Sequence, residues 1–423
     1  MVVYVISRHG KPLMPCSPRK ARILLKTGKA KVIKREPFTI KLLYGSGTAT
    51  QKLTLGLDTG SSKVGSAVVN EETDEVVYMS EVTIRNDITR KMTRRATARR
   101  NRRSRKTRYR PARWANRRNS IRKDRFSPTM VSKINSYLKE IDFVCSILPV
   151  SKLIIETCTF DPHALKNPAV LKNKWLYQKG INYSFENTRA YVLNRDSYKC
   201  QHCEGKTKNK KLEVHHIIFK RNNGSDEAEN LITLCKTCHD KLHKGDIKLK
   251  KIGKVKSQLK HATQMNSIRV QLLRMLPKAI ETFGFVTKAH RRLLGLPKEH
   301  YIDAAIIASQ GRQITFKINN LILKRCVAKG DYQQTKGIRS QQKIPTGKIC
   351  GFRKFDKVKY LGKKYFIKGR MSSGHAVLMN IDNQNIDFKN APKGMKTPKM
   401  SNMKRIVARK SWLIEQKTIA NSY

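Results

Sequence analysis

Four cysteines in the middle of the chain form two pairs, each with two residues between its members. Two C-x-x-C pairs separated by about thirty residues are typical of a tetrahedral structural zinc site. The second pair continues as CKTCH, which also fits covalent haem attachment, but haem leaves the first pair unexplained and normally requires export. We therefore predict a structural zinc site with the ligands Cys200, Cys203, Cys235 and Cys238.

Two adjacent histidines lie between these cysteine pairs. His215 and His216 stand on a strand-like segment, where neighbours face opposite sides, so His215 can face a metal ion while His216 faces a substrate. His239 and His243 are spaced to share one helical face, and one or both could share a divalent ion with His215. A neutral His216 is suited to take a proton from water, and the ion would stabilise charge on the scissile phosphate. The amide of Asn230 can tie the intervening loop to the histidine strand.

Four further residues lie at the ends of predicted elements elsewhere in the chain. Asp58 ends a strand with an alternating pattern, Glu156 ends the apolar strand KLIIE, and His300 lies about one helical turn before Asp303. Singly, Asp58 could cap a turn, Glu156 could be a surface charge, and Asp303 could stabilise a helix N-terminus. Their order and context, rather than any one residue, indicate a second site that is split along the chain.

An arginine-rich stretch separates the first two acids. About half of residues 85–125 are Arg or Lys, with almost no apolar anchors. Such a helix would repel itself in isolation, whereas an RNA backbone would neutralise it, with Arg on phosphates and Trp114 or Tyr109 available for stacking. Its position inside the chain argues against a disordered basic tail or a localisation signal. The predicted RNA-binding residues are Arg94, Arg95, Arg99, Arg100, Arg102, Arg103, Arg105, Arg108, Arg110, Arg113, Trp114, Arg117 and Arg118.

The predicted elements are of both types. Residues 1 to about 47 contain the strand-like runs VVYVI and KAKVI, a proline-rich turn KPLMPCSP, and a short amphipathic helix ending at Gly28. LTLGLDTGSSKVGSAVV predicts two strands joined by a turn, and VSKINSYLKEIDFVCSIL predicts a helix before KLIIE. Helices are predicted from about residue 258 to residue 312, and the last hundred or so residues are strand-like and basic.

Charge limits the class of partner. The 423 residues include 90 Lys and Arg against 30 Asp and Glu, a net charge of +60, which indicates a polyanionic partner such as nucleic acid. A membrane is not predicted, because no apolar run approaches the length needed to span a bilayer. With no export signal, the paired cysteines favour a reducing cytoplasm and metal binding over disulfides, and we expect a prokaryotic, nucleoid-associated protein.

Two sets of motifs resemble known nuclease domains. The order strand, loop, strand and helix, with H-H, N and H, resembles the HNH (ββα-metal) nucleases over residues 185–247, which implies a Mg²⁺ ion held by His215 and His239 or His243. The acids and the late H-x-x-D helix resemble split RuvC-like nucleases of the RNase H fold. That resemblance implies that Asp58, Glu156 and Asp303 bind two Mg²⁺ ions, with His300 as a ligand or a water-orienting group. In those relatives Pro commonly follows the first Asp, whereas Thr59 does here.

The nested order of these motifs is similar to the IscB family, the compact transposon-associated relatives of CRISPR effector nucleases. The similarity includes the segment KPLMP at Lys11–Pro15 and the short chain without a large helical recognition lobe. It implies an RNA-guided DNA endonuclease, monomeric within a complex with a large structured guide RNA. Guide pairing would read a double-stranded DNA target, and the protein would read a short flanking motif. The HNH site would cut the guide-paired strand and the RuvC-like site the displaced strand.

The predicted fold class is α/β multidomain, with an RNase H-like (RuvC) core split in sequence. The expected parts are an N-terminal α+β domain (1–47), RuvC-like segments (48–84, 126–180 and 252–312), an Arg-rich bridge helix (85–125), an HNH domain with a zinc knuckle (181–251) and a β-rich basic C-terminal domain that contacts RNA and the flanking motif (313–423). Two alternatives remain. One is a homing or restriction-type HNH endonuclease without guide RNA, and the other is a non-cleaving RNA-binding protein.

Overall fold

A computed structural model of the protein describes residues 2–47, 49–104, 126–180, 182–207, 209–220, 224–249, 259–328, 348–390, 392 and 394–419. The chain divides into two compact units, which are Met1–Cys158 with Ile268–Tyr423, and Thr159–Ser267. Among the described residues, no helix is both long and apolar enough to cross a bilayer.

Strands and helices occur in both units. The strands are β1 (Val3–Ile6), β2 (Pro12–Cys16), β3 (Ala30–Arg35), β4 (Phe38–Leu42), β5 (Leu53–Asp58), β6 (Lys63–Asn70), β7 (Val76–Thr83), β8 (Val150–Thr157), β9 (Leu212–His216), β10 (Leu231–Cys235), β11 (Ile280–Phe283), β12 (Asn320–Cys326), β13 (Lys357–Tyr360), β14 (Lys363–Arg370), β15 (Ala376–Met379), β16 (Lys404–Val407) and β17 (Trp412–Thr418). The α-helices are α1 (Pro18–Lys26), α2 (Ile88–Ser104), α3 (Pro128–Cys145), α4 (Pro162–Lys166), α5 (Thr188–Arg195), α6 (Lys236–Lys244), α7 (Lys260–Met275), α8 (Gly284–Leu293) and α9 (His300–Ser309).

The N-terminal sheet has the strand order β2-β1-β4-β3, and α1 follows β2. Ser17 caps α1 by accepting a hydrogen bond from the Lys20 amide, and Pro18 occupies the first turn, where its missing N–H costs nothing. The prediction of a proline-rich turn before this helix is wrong, because Pro12–Cys16 is a strand. Among the described strands β2 pairs only with β1, and an edge strand tolerates proline since half of its backbone groups need no partner strand.

The central sheet has seven strands in the order β11-β8-β5-β6-β7-β12-β17. Strands β5, β6 and β7 are antiparallel neighbours, while β8 lies parallel to β5 and β11 lies parallel to β8. Every residue of β5 is buried, and α9 packs across β5 and β6. A Cβ at Gly56 would collide with the backbone of Ala304, so this glycine permits the close approach of α9. The sheet and α9 together position the acidic residues.

The strand β11 corrects a second prediction. Residues 280–283, IETF, fall in the region predicted to be helical, between the helices α7 and α8. Ile280, Thr282 and Phe283 are of types that favour strands, and parallel pairing with β8 satisfies the backbone of this four-residue segment. A segment this short carries too little periodicity to outweigh the helical patterns on both sides.

A buried polar network joins α3 to the central sheet. The Lys324 ammonium lies 2.7 Å from a Glu140 carboxylate oxygen, and both side chains are fully buried. Ser66 and Ser80 donate hydrogen bonds to the same carboxylate, at 2.7 Å and 2.6 Å. Burial alone would raise the pKa of Glu140, but Lys324 and these hydroxyl groups lower it below its ordinary value. The network therefore contains a buried ion pair whose carboxylate also accepts hydrogen bonds from two serines.

The C-terminal region is rich in strands, as predicted, and forms an antiparallel sheet in the order β15-β14-β13-β16. Val358, Ile367 and Leu378 belong to its apolar core. The buried Lys357 ammonium lies 2.5 Å from a Glu36 carboxylate oxygen and donates to the Ile414 carbonyl at 2.8 Å. This lysine connects the C-terminal sheet to the N-terminal domain and to β17 within the same compact unit.

The second compact unit contains an antiparallel β9–β10 hairpin followed directly by α6. The helix α5 precedes the hairpin, and Arg195 at its end donates to the carbonyls of Ala228 and Leu231, at 2.7 Å and 2.8 Å. Asp196 accepts from the Thr233 amide at 2.8 Å. The order strand, loop, strand and helix that the sequence predicts is therefore present.

Candidate functional site

The four paired cysteines converge in the second unit. Their Sγ atoms all lie within 4.8 Å of one another, and the side chains of Cys200, Cys235 and Cys238 are buried. Cys235 ends β10 and also caps α6, so the hairpin and helix fix the second pair. Four clustered thiols are the donor set of a structural zinc site, and these residues fit the ion that the spacing predicts.

Three histidines form a second cluster nearby in the same unit. Their ring nitrogens lie within 4.8 Å of one another, with His215 supplied by β9 and His239 and His243 by successive turns of α6. The Nε2 atom of His215 is buried and makes no hydrogen bond among the described residues. Burial and the neighbouring imidazoles lower the pKa of His215 to about 4. A neutral, unpartnered imidazole facing two others fits a divalent metal ion.

His216 lies on the opposite face of β9 from His215. Its side chain is 24% exposed, and its Nε2 atom lies 2.7 Å from a carboxylate oxygen of Asp226. In the tautomer that donates to Asp226 from Nε2, the lone pair of the imidazole is on Nδ1. The Lys220 ammonium lies 2.8 Å from the same carboxylate oxygen. Both histidines border a cleft of about 350 Å³, which Phe219 and Lys220 also line.

Asn230 ties the loop between β9 and β10 back to the histidine strand. Its Oδ1 atom accepts from the Ile218 amide at 2.8 Å, and its Nδ2 atom donates to the carbonyls of Ile218 and Ser225, at 3.0 Å and 2.8 Å. The side chain is fully buried, so these bonds satisfy its polar atoms. This amide holds the backbone that follows His216.

Two acidic residues of this site were missed in the sequence. Asp226 contacts His216, and Glu213 lies 3.1 Å from Nδ1 of His239. Glu213 precedes the histidines by two residues and so shares the face of His215 on β9, which is a usable sequence signal. Asp226 lies ten residues after His216, in the loop between β9 and β10, and no spacing rule connects it to that side chain.

The three acids that are separated in sequence come together where the inner strands β5 and β8 end and α9 begins. Asp58 and Glu156 occupy facing positions at the ends of the parallel strands β5 and β8, and Asp303 lies in the first turn of α9. Burial, together with Asp58 and Asp303, raises the pKa of Glu156 from 4.5 to about 7. One carboxylate oxygen of Glu156 is buried without a hydrogen bond among the described residues. Clustered carboxylates with an unpaired oxygen fit hard divalent cations such as Mg²⁺.

Two basic side chains contact these acids. The Nδ1 atom of His300 lies 2.5 Å from a carboxylate oxygen of Asp58, and this hydrogen bond raises the pKa of His300. The guanidinium of Arg291, on α8, lies 2.5 Å from a carboxylate oxygen of Asp303. Burial raises the pKa of Asp303, although Arg291 acts in the opposite direction. The sequence drew attention to His300 but not to Arg291, because nothing in its local pattern separates it from the neighbouring basic residues.

Thr59 has a structural role that its sequence position did not reveal. Its hydroxyl group donates to the Glu156 carbonyl at 2.6 Å, which joins the ends of β5 and β8. The next residue, Gly60, accepts from the Tyr137 hydroxyl at 3.0 Å. A Cβ on Gly284 would lie 3.1 Å from a carboxylate oxygen of Glu156, so α8 begins directly beside this acid. These contacts fix the two strand ends that carry Asp58 and Glu156.

The arginine-rich segment is described only in part. The helix α2 carries Arg94, Arg95 and Arg100 on its exposed surface. Asp87 precedes the helix and pairs with Lys91 at 2.5 Å. The side chains of the other predicted RNA-binding residues lie outside the described part of the chain, and these are Arg99, Arg102, Arg103, Arg105, Arg108, Arg110, Arg113, Trp114, Arg117 and Arg118.

Two family models match the chain. Residues 3–180 match the model described as RRXRR protein. The N-terminal part of the chain therefore carries the sequence pattern of the RRXRR family. Residues 200–245 match the model described as HNH endonuclease, so the chain also carries an HNH endonuclease domain. The two matches are consistent with the IscB-like nuclease that the order of motifs predicts.

Curated relatives match shorter parts of the chain. Anaredoxin from Nostoc sp. is 37% identical over 67 residues, which are 16% of this chain and 86% of that protein. The type IV methyl-directed restriction enzyme EcoKMcrA from Escherichia coli K12 is 32% identical over 101 residues, which are 22% of this chain and 34% of that enzyme. The chain therefore spans about a third of the length of the restriction enzyme.

Solved structures of Streptococcus thermophilus Cas9 are also similar. The complex with the GGAA PAM has a TM-score of 0.33 and 12% identity, and the match covers 60% of this chain and 32% of that one. The complex with the AGAA PAM has a TM-score of 0.32 and 11% identity over the same shares of the two chains. TM-scores in this range do not establish a common fold.

Proposed function

We propose that this protein is an RNA-guided DNA endonuclease with two cutting sites. Two observations carry the proposal. Three histidines of the HNH domain place their ring nitrogens within 4.8 Å of one another, and three acids, where β5 and β8 end and α9 begins, lie close enough for Asp58 and Asp303 to raise the pKa of Glu156. Two such sites suit the cutting of two DNA strands. A single HNH site would leave the carboxylate cluster unexplained.

In the HNH site, the chain's own groups position a proton acceptor. His216 takes a proton from water through Nδ1, while Asp226 accepts from Nε2 and fixes the ring's orientation. His215, with His239 and His243, would hold a divalent metal ion, and Glu213 orients His239. Asn230 holds the loop, and a zinc ion on the four cysteines braces the hairpin against α6. A divalent ion, when bound, stabilises negative charge on the scissile phosphate.

The carboxylate site belongs to an RNase H-like (RuvC) core split along the chain. Supporting this assignment, strands β7, β6, β5, β8 and β11 are consecutive neighbours, with an acid at the end of β5 and at the facing position of β8. Asp58, Glu156 and Asp303 hold two Mg²⁺ ions, and His300 orients water or serves as a further ligand. For Asp58 to bind an ion, His300 must weaken its hydrogen bond to that carboxylate. For Asp303 to bind an ion, Arg291 must weaken its contact with that carboxylate.

The guide RNA accounts for the charge of the molecule. The net charge of +60 and the exposed arginines of α2 support binding of a large structured RNA by one copy of the protein. Pairing with that RNA selects the DNA target, and the basic C-terminal region (313–423) reads a short flanking motif. The HNH site cuts the guide-paired strand and the RuvC-like site cuts the displaced strand. We assign the domain boundaries as the sequence predicts them.

The experiment that tests guidance begins with the RNA that co-purifies with the protein. That RNA is sequenced, its unpaired segment is replaced with one complementary to a chosen DNA, and cutting is measured with Mg²⁺. We expect cutting only at the matching DNA, no cutting after the RNA is digested, and recovery when the RNA is added back. Cutting of one fixed DNA site by RNA-free protein would contradict the proposal.

A second candidate is a restriction-type HNH endonuclease that reads DNA without a guide. The 32% identity to the restriction enzyme EcoKMcrA over 101 residues favours it. It predicts cutting of methylated DNA by RNA-free protein, and Asp58→Ala would then have no effect on either strand. A non-cleaving RNA-binding protein is the third candidate, but the presence of His216 and of all three acids argues against lost activity.

A further inference from the structure

An exposed group of two aromatic rings and one lysine lies in the second unit, before the HNH domain. The side chains of Trp175 and Tyr183 are each 55% exposed. The Lys179 ammonium lies 3.4 Å from the centre of the Trp175 ring and 4.7 Å from the centre of the Tyr183 ring. We call these three residues the aromatic–lysine surface. Within the described part of the chain, none of the three belongs to a metal cluster, and no hydrogen bond or ion pair joins one of them to a catalytic candidate.

The segment around this surface has an unusual charge pattern. Residues 162–185 contain four lysines and no acidic residue. Lys166 pairs with Glu227 at 2.9 Å, whereas Lys172 and Lys174 are exposed beside Trp175 in the chain. Exposed aromatic rings among lysines complement a ligand with flat, apolar faces and a negatively charged backbone. An apolar protein partner would match the rings but not this uncompensated charge.

The backbone that carries the two rings is held by hydrogen-bonded turns. Asn173 accepts from the Trp175 amide at 3.2 Å and starts the 3₁₀ turn Lys174–Tyr177. Tyr177 is fixed by a hydrogen bond from its hydroxyl group to Asp161. On the other side, the Tyr183 amide donates to the Gly180 carbonyl at 2.9 Å. A backbone already fixed in position loses little entropy when its side chains bind a ligand.

We infer that the aromatic–lysine surface binds unpaired bases of the displaced DNA strand. The inference rests on the proposed function, in which guide pairing leaves one DNA strand single-stranded. Bases of that strand stack on Trp175 and Tyr183, and the Lys179 ammonium moves from the rings to a neighbouring phosphate. Most bases of a structured RNA are paired and stacked on one another, which favours the DNA strand as the occupant.

The test uses the full-length protein with its RNA and a fluorescent single-stranded oligothymidylate. We expect Trp175→Ala and Tyr183→Ala each to weaken binding by about 5- to 100-fold, because each removes one base-stacking contact. Trp175→Phe keeps a ring and should retain most of the affinity. Leu171→Ala is the matched control, since Leu171 is 65% exposed and apolar but has no ring, and its affinity should equal that of the wild type.

Photocrosslinking identifies the occupant. An iodinated uracil base is placed in the displaced DNA strand in one arm and in the RNA in the other, and crosslinked peptides are sequenced. Crosslinks from the DNA strand to Trp175 or Tyr183 support the inference, whereas crosslinks from RNA alone overturn it. Wild-type affinity in the double Ala variant also overturns it. Whether the wild-type protein cuts DNA in an RNA-dependent way is measured separately. If it does not, the proposed function is contradicted, and the oligothymidylate binding result alone decides whether this surface binds single-stranded DNA.

Discussion

At the scale of single residues, Glu156 has the most informative protonation behaviour. Its pKa rises from 4.5 to about 7 because it is buried beside Asp58 and Asp303. Between pH 4.5 and about pH 7, the folded protein therefore keeps a proton on Glu156 that the unfolded chain has released. The free energy of unfolding falls as pH rises through this range. Metal binding requires the deprotonated carboxylate. Without a metal ion, the buried and charged Glu156 destabilises the fold above about pH 7.

Replacing this carboxylate should stabilise the metal-free protein. We expect Glu156→Gln to raise the free energy of unfolding by about 1–3 kcal/mol at pH 8 in EDTA, and by much less at pH 5, where the wild-type carboxyl is protonated in the fold. Denaturant unfolding at the two pH values measures the difference. An equal effect at pH 5 and pH 8 would show that Glu156 is not protonated near neutral pH.

Asp226 is the residue that best explains the orientation of His216, because its carboxylate contacts Nε2 of that ring. We expect Asp226→Asn to slow cutting of the guide-paired strand by about 10- to 100-fold, because the imidazole loses the carboxylate that orients it for proton transfer. Cutting of the displaced strand should not change. Strand-specific rates from a doubly labelled DNA measure this, with Asp246→Asn, an exposed residue beyond α6, as the control for charge. A uniform loss on both strands would indicate weaker DNA binding instead.

At the scale of elements, the cysteine cluster joins the segment between α5 and β9, which carries Cys200 and Cys203, to β10 and α6. We expect the wild-type protein to bind about one zinc ion per chain and the Cys238→Ser variant to lose it. The variant should also lose cutting of the guide-paired strand, because the same helix, α6, carries His239 and His243. Elemental analysis and strand-specific cutting measure the two effects. Cys145→Ser is the matched control, since Cys145 is an exposed thiol on α3. Unchanged zinc content in the Cys238 variant would exclude this site.

The buried pair Lys324–Glu140 links α3 to β12. We expect Lys324→Met to destabilise the fold by about 3–5 kcal/mol, because it leaves the Glu140 carboxylate buried without its counter-charge. The double variant with Glu140→Gln should recover part of this loss, since no unpaired charge remains. Denaturant unfolding of the two single variants and the double variant measures the coupling. Additive effects would show that the two charges do not stabilise each other.

The sequence predicts most elements but not all of their partners. Strands such as β5 and β8 are recognisable because they are short apolar runs that end in an acid, and the helix that carries His239 and His243 follows from their spacing. The strand β2 was missed because its prolines are tolerated only at a sheet edge, which local sequence does not show. Thr59, Asp226 and Arg291 act through partners that are distant in sequence, so their roles become visible only once the chain folds.

At the scale of the whole molecule, the chain combines two sites of different chemistry with a large positive charge. The histidine site lies in the compact unit Thr159–Ser267, and the carboxylate site lies in the unit built around the central sheet. Each site draws its residues from one unit, so each should work when the other is disabled.

Strand-resolved cutting by two single variants shows whether the two sites act independently. A guide-matched duplex carries a different label on each strand, and RNA-loaded protein is assayed with Mg²⁺. We predict that Asp58→Ala cuts only the guide-paired strand and that His216→Ala cuts only the displaced strand, each at about the wild-type rate. If both variants still cut both strands, or if either one abolishes cutting of both, the assignment of one strand to each site is contradicted.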